Sequence, residues 1–574
     1  MGVFFFGNCG LGTGSLFLWS VSHRYDQNTH YFFTHCFGPK LSSIYLIIFS
    51  HSSYVCSSNL HLNFTGDVGI MTDIKQEDIE EEYALHLKHL EIDIGGDEDN
   101  QATCPIVPAL LREQVGQYGL IAGRSDILAN RDDKRDPRLF YNIAAPFSTF
   151  ICGSQGSGKS HTLSCFLENC LTNTNMSKVK TPLSAILFHY DGFIGDIKGT
   201  PCEAAYLASN PNIKVRVLCS PTNISTITRT YSGMNVRVEP LRIDETDLTT
   251  QRMLSLMAVK TKGEMPLYLH SISRVLRDLR ISHQATGRPF HYGGFKEEIK
   301  QLKFTPDQQG PLTLRLDTLE SFMPAHQRKA GSPFPTKRGT GTDWSIKAGQ
   351  LTIVDLSCPC ITAEAASSLF NICLSLFLEE KSDIGKIVAL DEAHKYMSDG
   401  TGDALTNSLL STIRLQRHLG TRVIISTQEP TISPALIDLC SMTIVHRFSS
   451  PEWLKCLLSH VAALKNLRSH SEEGRVFEEI VKLRVGEALL FAPEAIIGIG
   501  SGPGGMRSRS LPDNSPAKVS TSFIQLVMGN GKKNEFEIHD DNDEQSLRKL
   551  GTDYIKMNVR KRLTNDGGKS ILAA

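Results

Sequence analysis

The stretch FICGSQGSGKSHT, residues 150–162, contains the side chains with the clearest chemical meaning in this sequence. From Gly153 to Ser160 it follows the spacing G-x-x-x-x-G-K-S without a mismatch. Glycines let successive backbone N–H groups point inward around an anion, and the N-terminus of a following helix adds its positive end. The spacing therefore predicts a loop that holds the phosphates of a nucleoside triphosphate.

Several positions of this phosphate loop have a predicted role. Lys159 is expected to reach the β- and γ-phosphates, and the Ser160 hydroxyl is expected to take a site on Mg²⁺. An apolar segment before the loop and a helical pattern after it supply the structural context that the motif requires. The predicted cofactors are ATP and Mg²⁺. The predicted binding residues are Gly153, Ser154, Gln155, Gly156, Ser157, Gly158, Lys159, Ser160 and His161.

Hydrolysis of the nucleotide also requires a carboxylate near Mg²⁺ and a group that activates water. The segment KIVALDEAH, residues 386–394, offers both at the end of an apolar strand. Asp391 is predicted to contact the Mg²⁺ shell, and Glu392 is predicted to act as the general base. Asp355 also ends an apolar segment, LTIVD, but it ranks lower because no second acid follows it.

The elements that must position these residues alternate between strand and helix from Pro146 onward, which favours a parallel sheet covered by helices. The predicted fold class is α/β: a RecA-like P-loop NTPase core with a mostly parallel sheet flanked by helices, and an inserted segment. The ATPase domain is predicted at residues 144–500. Because Lys159 and Asp391 lie unusually far apart in the sequence, an insert is placed at about 221–345.

The segments on either side of this domain differ from it in composition. Residues 1–70 are rich in aromatic residues, Ser, His and Cys and have almost no acidic residues. They are interpreted as translated non-coding sequence, with the working protein beginning at Met71. Residues 71–143 are predicted to be a lead-in segment of little periodicity. Residues 501–574 are predicted to be a flexible linker rich in Gly, Pro and Ser followed by a tail.

The bulk composition limits the partners and the compartment. A formal net charge of −1 provides no global attraction to nucleic acid or to an anionic membrane, so such binding would need a local basic patch. Fourteen cysteines without a paired framework suggest a reducing, intracellular compartment, either cytoplasm or nucleus. Cys358 and Cys360 have no second pair or His at zinc spacing, and no metal is predicted there. No apolar run reaches the length that a membrane span requires.

Other classes of P-loop protein fit the motifs less well. The letters DEAH at residues 391–394 suggest a superfamily-two helicase, but the Arg-rich motif of the second domain of such helicases has no match. A GTPase would require an N-K-x-D motif at a strand end, and none follows the phosphate loop. A small-molecule kinase needs an acceptor pocket and no hydrolytic base, which disagrees with the acid pair.

Taken in order, several segments resemble the HerA–FtsK superfamily of ring-forming ATPases, and its HerA-like members above all. They lie within residues 110–500: the phosphate loop, AGQLTIVDLS, IVALDEAHKYM, the stretch from LLSTIRLQRHLG to SMTIVHRF, and LRVGEALLF. The resemblance implies that Gln428 senses the γ-phosphate or the attacking water. It also implies a hexameric ring in which an arginine of one subunit reaches its neighbour's nucleotide. The candidates are Arg414, Arg417 and Arg447.

The resemblance also implies a function: an ATP-driven motor that translocates or unwinds DNA, with duplex DNA as substrate and a nuclease or another protein as a possible partner. HerA proteins usually carry a small N-terminal β-barrel, but residues 71–145 are too short and irregular to predict one. The alternative is a regulatory or scaffolding ATPase whose nucleotide state switches a protein interface without acting on DNA.

Overall fold

The computed structural model describes the main chain in ten segments, and it divides the chain into two compact units, Met1–Glu91 and Ile92–Ala574. The described segments are residues 18–24, 30–38, 41–49, 103–257, 267–287, 290–329, 341–397, 404–465, 470–501 and 545–567. In the first unit, strands β1 (Leu18–Arg24), β2 (His30–Gly38) and β3 (Leu41–Phe49) form an antiparallel sheet in that order. The predicted start at Met71 lies outside the described residues.

The second unit is built around one sheet of fourteen strands. These strands are β4 (Ile106–Pro108), β5 (Tyr118–Arg124), β6 (Arg138–Asn142), β7 (Ser148–Cys152), β8 (Ser177–Lys178), β9 (Ser184–His189), β10 (Lys214–Cys219), β11 (Val236–Pro240), β12 (Gln350–Asp355), β13 (Lys386–Leu390), β14 (Thr421–Thr427), β15 (Met442–Val445), β16 (Glu487–Phe491) and β19 (Ile555–Val559). Strands β17 (Ile496–Ser501) and β18 (Gln545–Lys549) form a separate antiparallel pair.

Helices cover this sheet. They are α1 (Ser125–Ala129), α2 (Lys159–Leu171), α3 (Ile224–Thr230), α4 (Thr250–Met257), α5 (Leu267–Thr286), α6 (Tyr292–Gln301), α7 (Pro306–Phe322), α8 (Ala363–Glu379), α9 (Ala404–Arg414), α10 (Gln416–Leu419), α11 (Pro434–Leu439), α12 (Pro451–His460), α13 (Ala462–Lys465) and α14 (His470–Lys482). None of the described helices combines the length and the apolar character that a bilayer-spanning segment requires.

Eight neighbouring strands of the large sheet run parallel, in the order β11-β10-β12-β9-β13-β14-β7-β15. The phosphate loop follows β7, the acid pair follows β13, and β14 lies between these two strands. Because the carboxyl ends of parallel strands share one edge of a sheet, this order brings the loop, the acids and the residue after β14 together. The predicted α/β fold with a mostly parallel sheet is confirmed.

The remaining strands extend the sheet in antiparallel fashion, in the order β15-β16-β19-β5-β6-β4, with β8 beside β5. Strands β5 and β6 come from the predicted lead-in segment, and β19 comes from the predicted flexible tail. No strands were predicted from the sequence in these places. The strands are short and lack strict alternation, and β19 pairs with β5 from the other end of the unit, so tertiary contacts decide their conformation.

Two buried layers of side chains lie on the two faces of the sheet. Phe150 and Phe188 belong to a cluster that includes side chains of α4–α9, α11, α12 and α14. Ile151 and Leu187, their neighbours in sequence, belong to a cluster that includes α2 and α3. The predicted insert is thus part of the core, because β11 pairs at the sheet edge and α4–α7 add to one helical layer.

Candidate functional site

The phosphate loop is tightly folded at two glycines. Gly153 has φ 153° and Gly158, which precedes α2, has φ 109°. A Cβ atom at Gly153 would lie 2.7 Å from the His446 Cβ, and one at Gly158 would lie 3.3 Å from the Gly486 nitrogen. Only glycine fits at Gly153 without displacing a neighbour, and the first N–H groups of α2 have no intrahelical partner. The loop therefore has the form that receives an anion.

Lys159 connects this loop to the acid pair. Its ammonium donates a hydrogen bond to the Ser154 carbonyl oxygen at 3.2 Å and lies 3.7 Å from Glu392 Oε1. The side chain is only 3% exposed. The positive charge is therefore held inside the site, between the loop and the acid that was predicted to be the base.

Ser160 and Asp391 meet across the same cleft. The Ser160 hydroxyl donates to Asp391 Oδ1 at 3.3 Å. Burial alone would raise the pKa of the Asp391 carboxyl, but His189, Lys159 and the Ser160 hydroxyl together hold it below its ordinary value. A hydroxyl and an ionised carboxylate are the hard oxygen ligands that Mg²⁺ prefers, so the residues present fit this ion.

Glu392 has a strained backbone. Its φ of 48° makes it the one non-glycine residue with positive φ among those that the structure describes. Such a conformation costs on the order of 1–3 kcal/mol and persists only where the surroundings impose it. Here Gln428 Nε2 donates to Glu392 Oε2 at 3.1 Å, and the Lys159 ammonium faces Oε1. The strain therefore directs this carboxylate into the cleft.

Gln428 and His394 complete the surroundings of that carboxylate. The Gln428 backbone N–H donates to His394 Nδ1 at 3.4 Å, and the same ring nitrogen lies 3.4 Å from Glu392 Oε2. Burial lowers the pKa of His394, so its ring is neutral at neutral pH. No role was predicted for His394 from the sequence, where its position two residues after Glu392 is the only signal.

His446 is a second histidine that the sequence analysis missed. It follows β15, it is fully buried, and Nε2 accepts a hydrogen bond from the Thr162 hydroxyl at 2.9 Å. Its Nδ1 donates to the Glu487 carbonyl oxygen at 3.0 Å. Burial, with the positive charge of Lys159, lowers the pKa of His446 to about 4. The neutral ring of His446 thus lies beside the phosphate loop and links Thr162 to Glu487.

Asp355, the lower-ranked metal carboxylate, has other partners. It ends β12, is 1% exposed, and accepts a hydrogen bond from the Tyr231 hydroxyl at 2.7 Å. It also accepts from the Ser357 backbone N–H at 3.0 Å. The structure therefore pairs Asp391, and not Asp355, with the Ser160 hydroxyl.

The C-terminal segment lies against α2. The ring of His161 donates through Nε2 to the Arg560 carbonyl oxygen at 2.9 Å. Arg560 in turn forms an ion pair with Glu168 of α2 at 2.8 Å, and both side chains are buried. Arg562 pairs with Glu203 at 3.0 Å. We call these four charged residues the C-terminal clasp. His161 was predicted to bind the nucleotide, and its side chain is hydrogen-bonded to this C-terminal segment.

The three candidate arginines are exposed, Arg414 in α9, Arg417 in α10 and Arg447 just after β15. Among them, Arg447 is next to the phosphate loop, because its carbonyl oxygen accepts hydrogen bonds from both the N–H and the hydroxyl of Ser154 at 2.8 Å.

No protein-family model and no curated protein sequence matches this chain. Among solved structures, VirB4 of Thermoanaerobacter pseudethanolicus is 14% identical, covering 65% of this chain and 93% of that one, with a TM-score of 0.42. The bacterial conjugative coupling protein TrwBΔN70 is 12% identical, covering 65% and 90%, with a TM-score of 0.35. The genome-packaging NTPase B204 of Sulfolobus turreted icosahedral virus 2 is 9% identical, covering 60% and 92%, with a TM-score of 0.24.

Because all three scores are low, the fold is assigned from features of this chain itself. They are the position of β14 between the loop strand and the acid strand, the tight loop before α2, and the contact between Ser160 and Asp391. The chain has the fold of a RecA-like P-loop NTPase, and its motifs resemble those of the HerA–FtsK superfamily.

Proposed function

We propose that this chain binds and hydrolyses ATP and works as a ring-forming, HerA-like motor on DNA. The observation that best supports hydrolysis is the strained Glu392, whose carboxylate contacts both Lys159 and Gln428. A site that only binds nucleotide has no need of a strained carboxylate facing the phosphate loop. Strain of this kind is concentrated at functional sites.

Each residue of the cleft then has a chemical task. Lys159 would offset the charge of the β- and γ-phosphates, and Ser160 and Asp391 would hold Mg²⁺, whose charge would offset that of the phosphate oxygens. Glu392 accepts a proton from the attacking water. Gln428, which donates to Glu392, holds that carboxylate and the water in line.

The ring part of the proposal assigns Arg447 to the neighbouring subunit's nucleotide. It is exposed, and its main chain is bonded to the phosphate loop, so it lies at the border of the site. Mixing two inactive variants tests this assignment. Lys159→Ala keeps the arginine and Arg447→Ala keeps the loop, so mixed rings should regain part of the ATP hydrolysis. Arg414→Ala is the control. No recovery in mixtures that co-assemble would remove Arg447 from this role.

A basic groove is the feature that supports DNA binding. It has a volume of about 650 Å³ and is lined by β10, the edge strand β11, Arg242 and the segment that leads into β12. Five cations line it against two carboxylates, Glu239 and Asp343. The cations are Lys214, Arg216, Arg237, Arg242 and Lys347. An excess of positive charge is what a phosphate backbone requires.

The deciding experiment is steady-state ATP hydrolysis with and without duplex DNA at two salt concentrations. A motor should be stimulated by duplex, and the stimulation should fade with salt because phosphate contacts release counterions. The variant Lys214→Glu/Arg242→Glu should lose stimulation but keep the basal rate. Stimulation unaffected by this variant would place the DNA elsewhere on the ring. Turnover that ignores DNA in every condition would favour the regulatory ATPase.

A further inference from the structure

Three potential metal ligands of different chemistry converge behind the nucleotide cleft. His189 ends β9, Cys202 precedes the 3₁₀ turn Glu203–Ser209, and Asp391 follows β13. All three are buried, and their ligand atoms lie within 4.8 Å of one another. Asp391 Oδ2 is 3.7 Å from His189 Nδ1 and 4.0 Å from the Cys202 sulfur.

The imidazole of His189 faces Asp391 Oδ2 at 3.7 Å, which is too long for a hydrogen bond. Its side chain is 9% exposed, and among the described residues neither ring nitrogen has a hydrogen-bond partner. Buried polar groups are almost always paired, because leaving one unpaired costs its desolvation free energy. A bound cation would supply the missing partner and would use the sulfur and the carboxylate oxygen at the same time.

We propose that His189, Cys202 and Asp391 Oδ2 bind a divalent cation that accepts thiolate, with Zn²⁺ as the representative ion. Zinc takes nitrogen, sulfur and oxygen ligands at about 2.0–2.3 Å, so ligand atoms in a tetrahedral site lie about 3.5 Å apart. The two measured separations are within reach of that value after small side-chain movements. Mg²⁺ prefers oxygen ligands, so the thiol selects against it.

The ligands are held by further hydrogen bonds, as outer contacts in metal sites usually are. The Cys202 backbone N–H donates to the Tyr231 hydroxyl at 3.1 Å, and that hydroxyl donates to Asp355. The His189 carbonyl oxygen accepts from the Leu356 N–H at 3.1 Å. Asp355, which the sequence analysis considered as a magnesium ligand, therefore positions the cysteine instead.

The new site shares one carboxylate with the nucleotide site but uses a different oxygen. Asp391 Oδ1 faces the Ser160 hydroxyl, and Oδ2 faces His189 and Cys202. Zinc binding is measurable without ATP and does not rest on the proposed hydrolysis. A chain that hydrolyses ATP but takes up no Zn²⁺ would overturn this proposal and leave the proposed function in place.

The experiment is a Zn²⁺ titration of the full chain against a chromophoric chelator, followed by the absorption spectrum with Co²⁺ in place of Zn²⁺. The wild type should bind one more equivalent than Cys202→Ser and show a thiolate-to-cobalt charge-transfer band. Cys202→Ser and His189→Asn should each weaken that equivalent at least about tenfold, the lower end of what loss of an outer contact costs. Cys219→Ser, at another buried cysteine, is the matched control and should bind as the wild type does.

Equal Zn²⁺ binding by wild type and Cys202→Ser would overturn the proposal, and so would an equal loss in Cys219→Ser, because binding would then be spread over the cysteines. Circular dichroism establishes that each variant is folded. If Cys202→Ser does not fold, His189→Asn and the wild-type spectrum decide the matter: tight cobalt binding without a thiolate band overturns the site.

Discussion

The parallel strands and the antiparallel strands of the large sheet have different roles. The parallel half places the phosphate loop, Asp391, Glu392 and Gln428 at one edge, each within two residues of the end of a buried strand. The antiparallel half contributes no predicted catalytic residue, but β19 leads into the C-terminal clasp, which pairs Arg560 with a glutamate of the loop helix. The order of the strands thus brings the site residues together. The C-terminal segment packs against α2, the helix that follows the phosphate loop.

We expect substitutions of the site residues in the parallel half to impair ATP binding or hydrolysis and to leave the fold intact. Lys159→Ala should have the largest effect on nucleotide binding, because the phosphates lose their main cationic partner. ATP binding should weaken about 10- to 160-fold, as expected for a charged hydrogen bond of about 1.5–3 kcal/mol. A fluorescent nucleotide titration measures it. Lys178→Ala, at an exposed ion pair with Glu113, is the control and should bind as the wild type does.

Glu392→Gln should separate binding from turnover. The amide keeps the shape of the side chain and cannot accept the proton of water, so the hydrolysis rate should fall by about 10²–10⁴-fold while ATP stays bound. Glu429→Gln removes a charge at an exposed neighbouring position and is the matched control. Normal turnover by Glu392→Gln would assign the base to another residue.

Arg560→Ala should affect stability instead. It leaves Glu168, 2% exposed, without its closest cation, although Thr564 and Leu563 still donate to that carboxylate. The unfolding free energy should fall by about 3 kcal/mol, the lower end for breaking a buried ion pair. Urea unfolding measures the change. Lys455→Ala, at an exposed pair with Glu452, should cost less than about 1 kcal/mol. Equal small losses in both variants would mean that the clasp does not stabilise the fold.

The smallest expected effect is a pH dependence of the same clasp. Burial alone would raise the pKa of Glu168, but Thr564 and Arg560 hold it below its ordinary value. A carboxyl with a lowered folded-state pKa stabilises the fold above its unfolded pKa, and this stabilisation is lost as the pH falls through the folded value. The advantage of wild type over Glu168→Gln should therefore be constant near neutrality and shrink below about pH 4. A difference independent of pH would show that shape, and not charge, matters there.

The sequence alone determined the phosphate loop, the acid pair and the mostly parallel sheet. These are local patterns, because glycine spacing, an apolar run and the acids that end it lie within a few residues of one another. The position of Gln428 came only from the resemblance of ordered motifs, since a single polar residue after a strand has no distinctive pattern.

The tertiary structure decided which distant residues meet. His446 with Thr162, His189 with Asp391, and Arg560 with Glu168 all join segments far apart in the chain. No local periodicity marks such residues, because each is a lone polar side chain whose role depends on what packs against it. Strands β5 and β19 were missed for the same reason: such short segments become strands only when a partner from the other end of the unit provides hydrogen bonds.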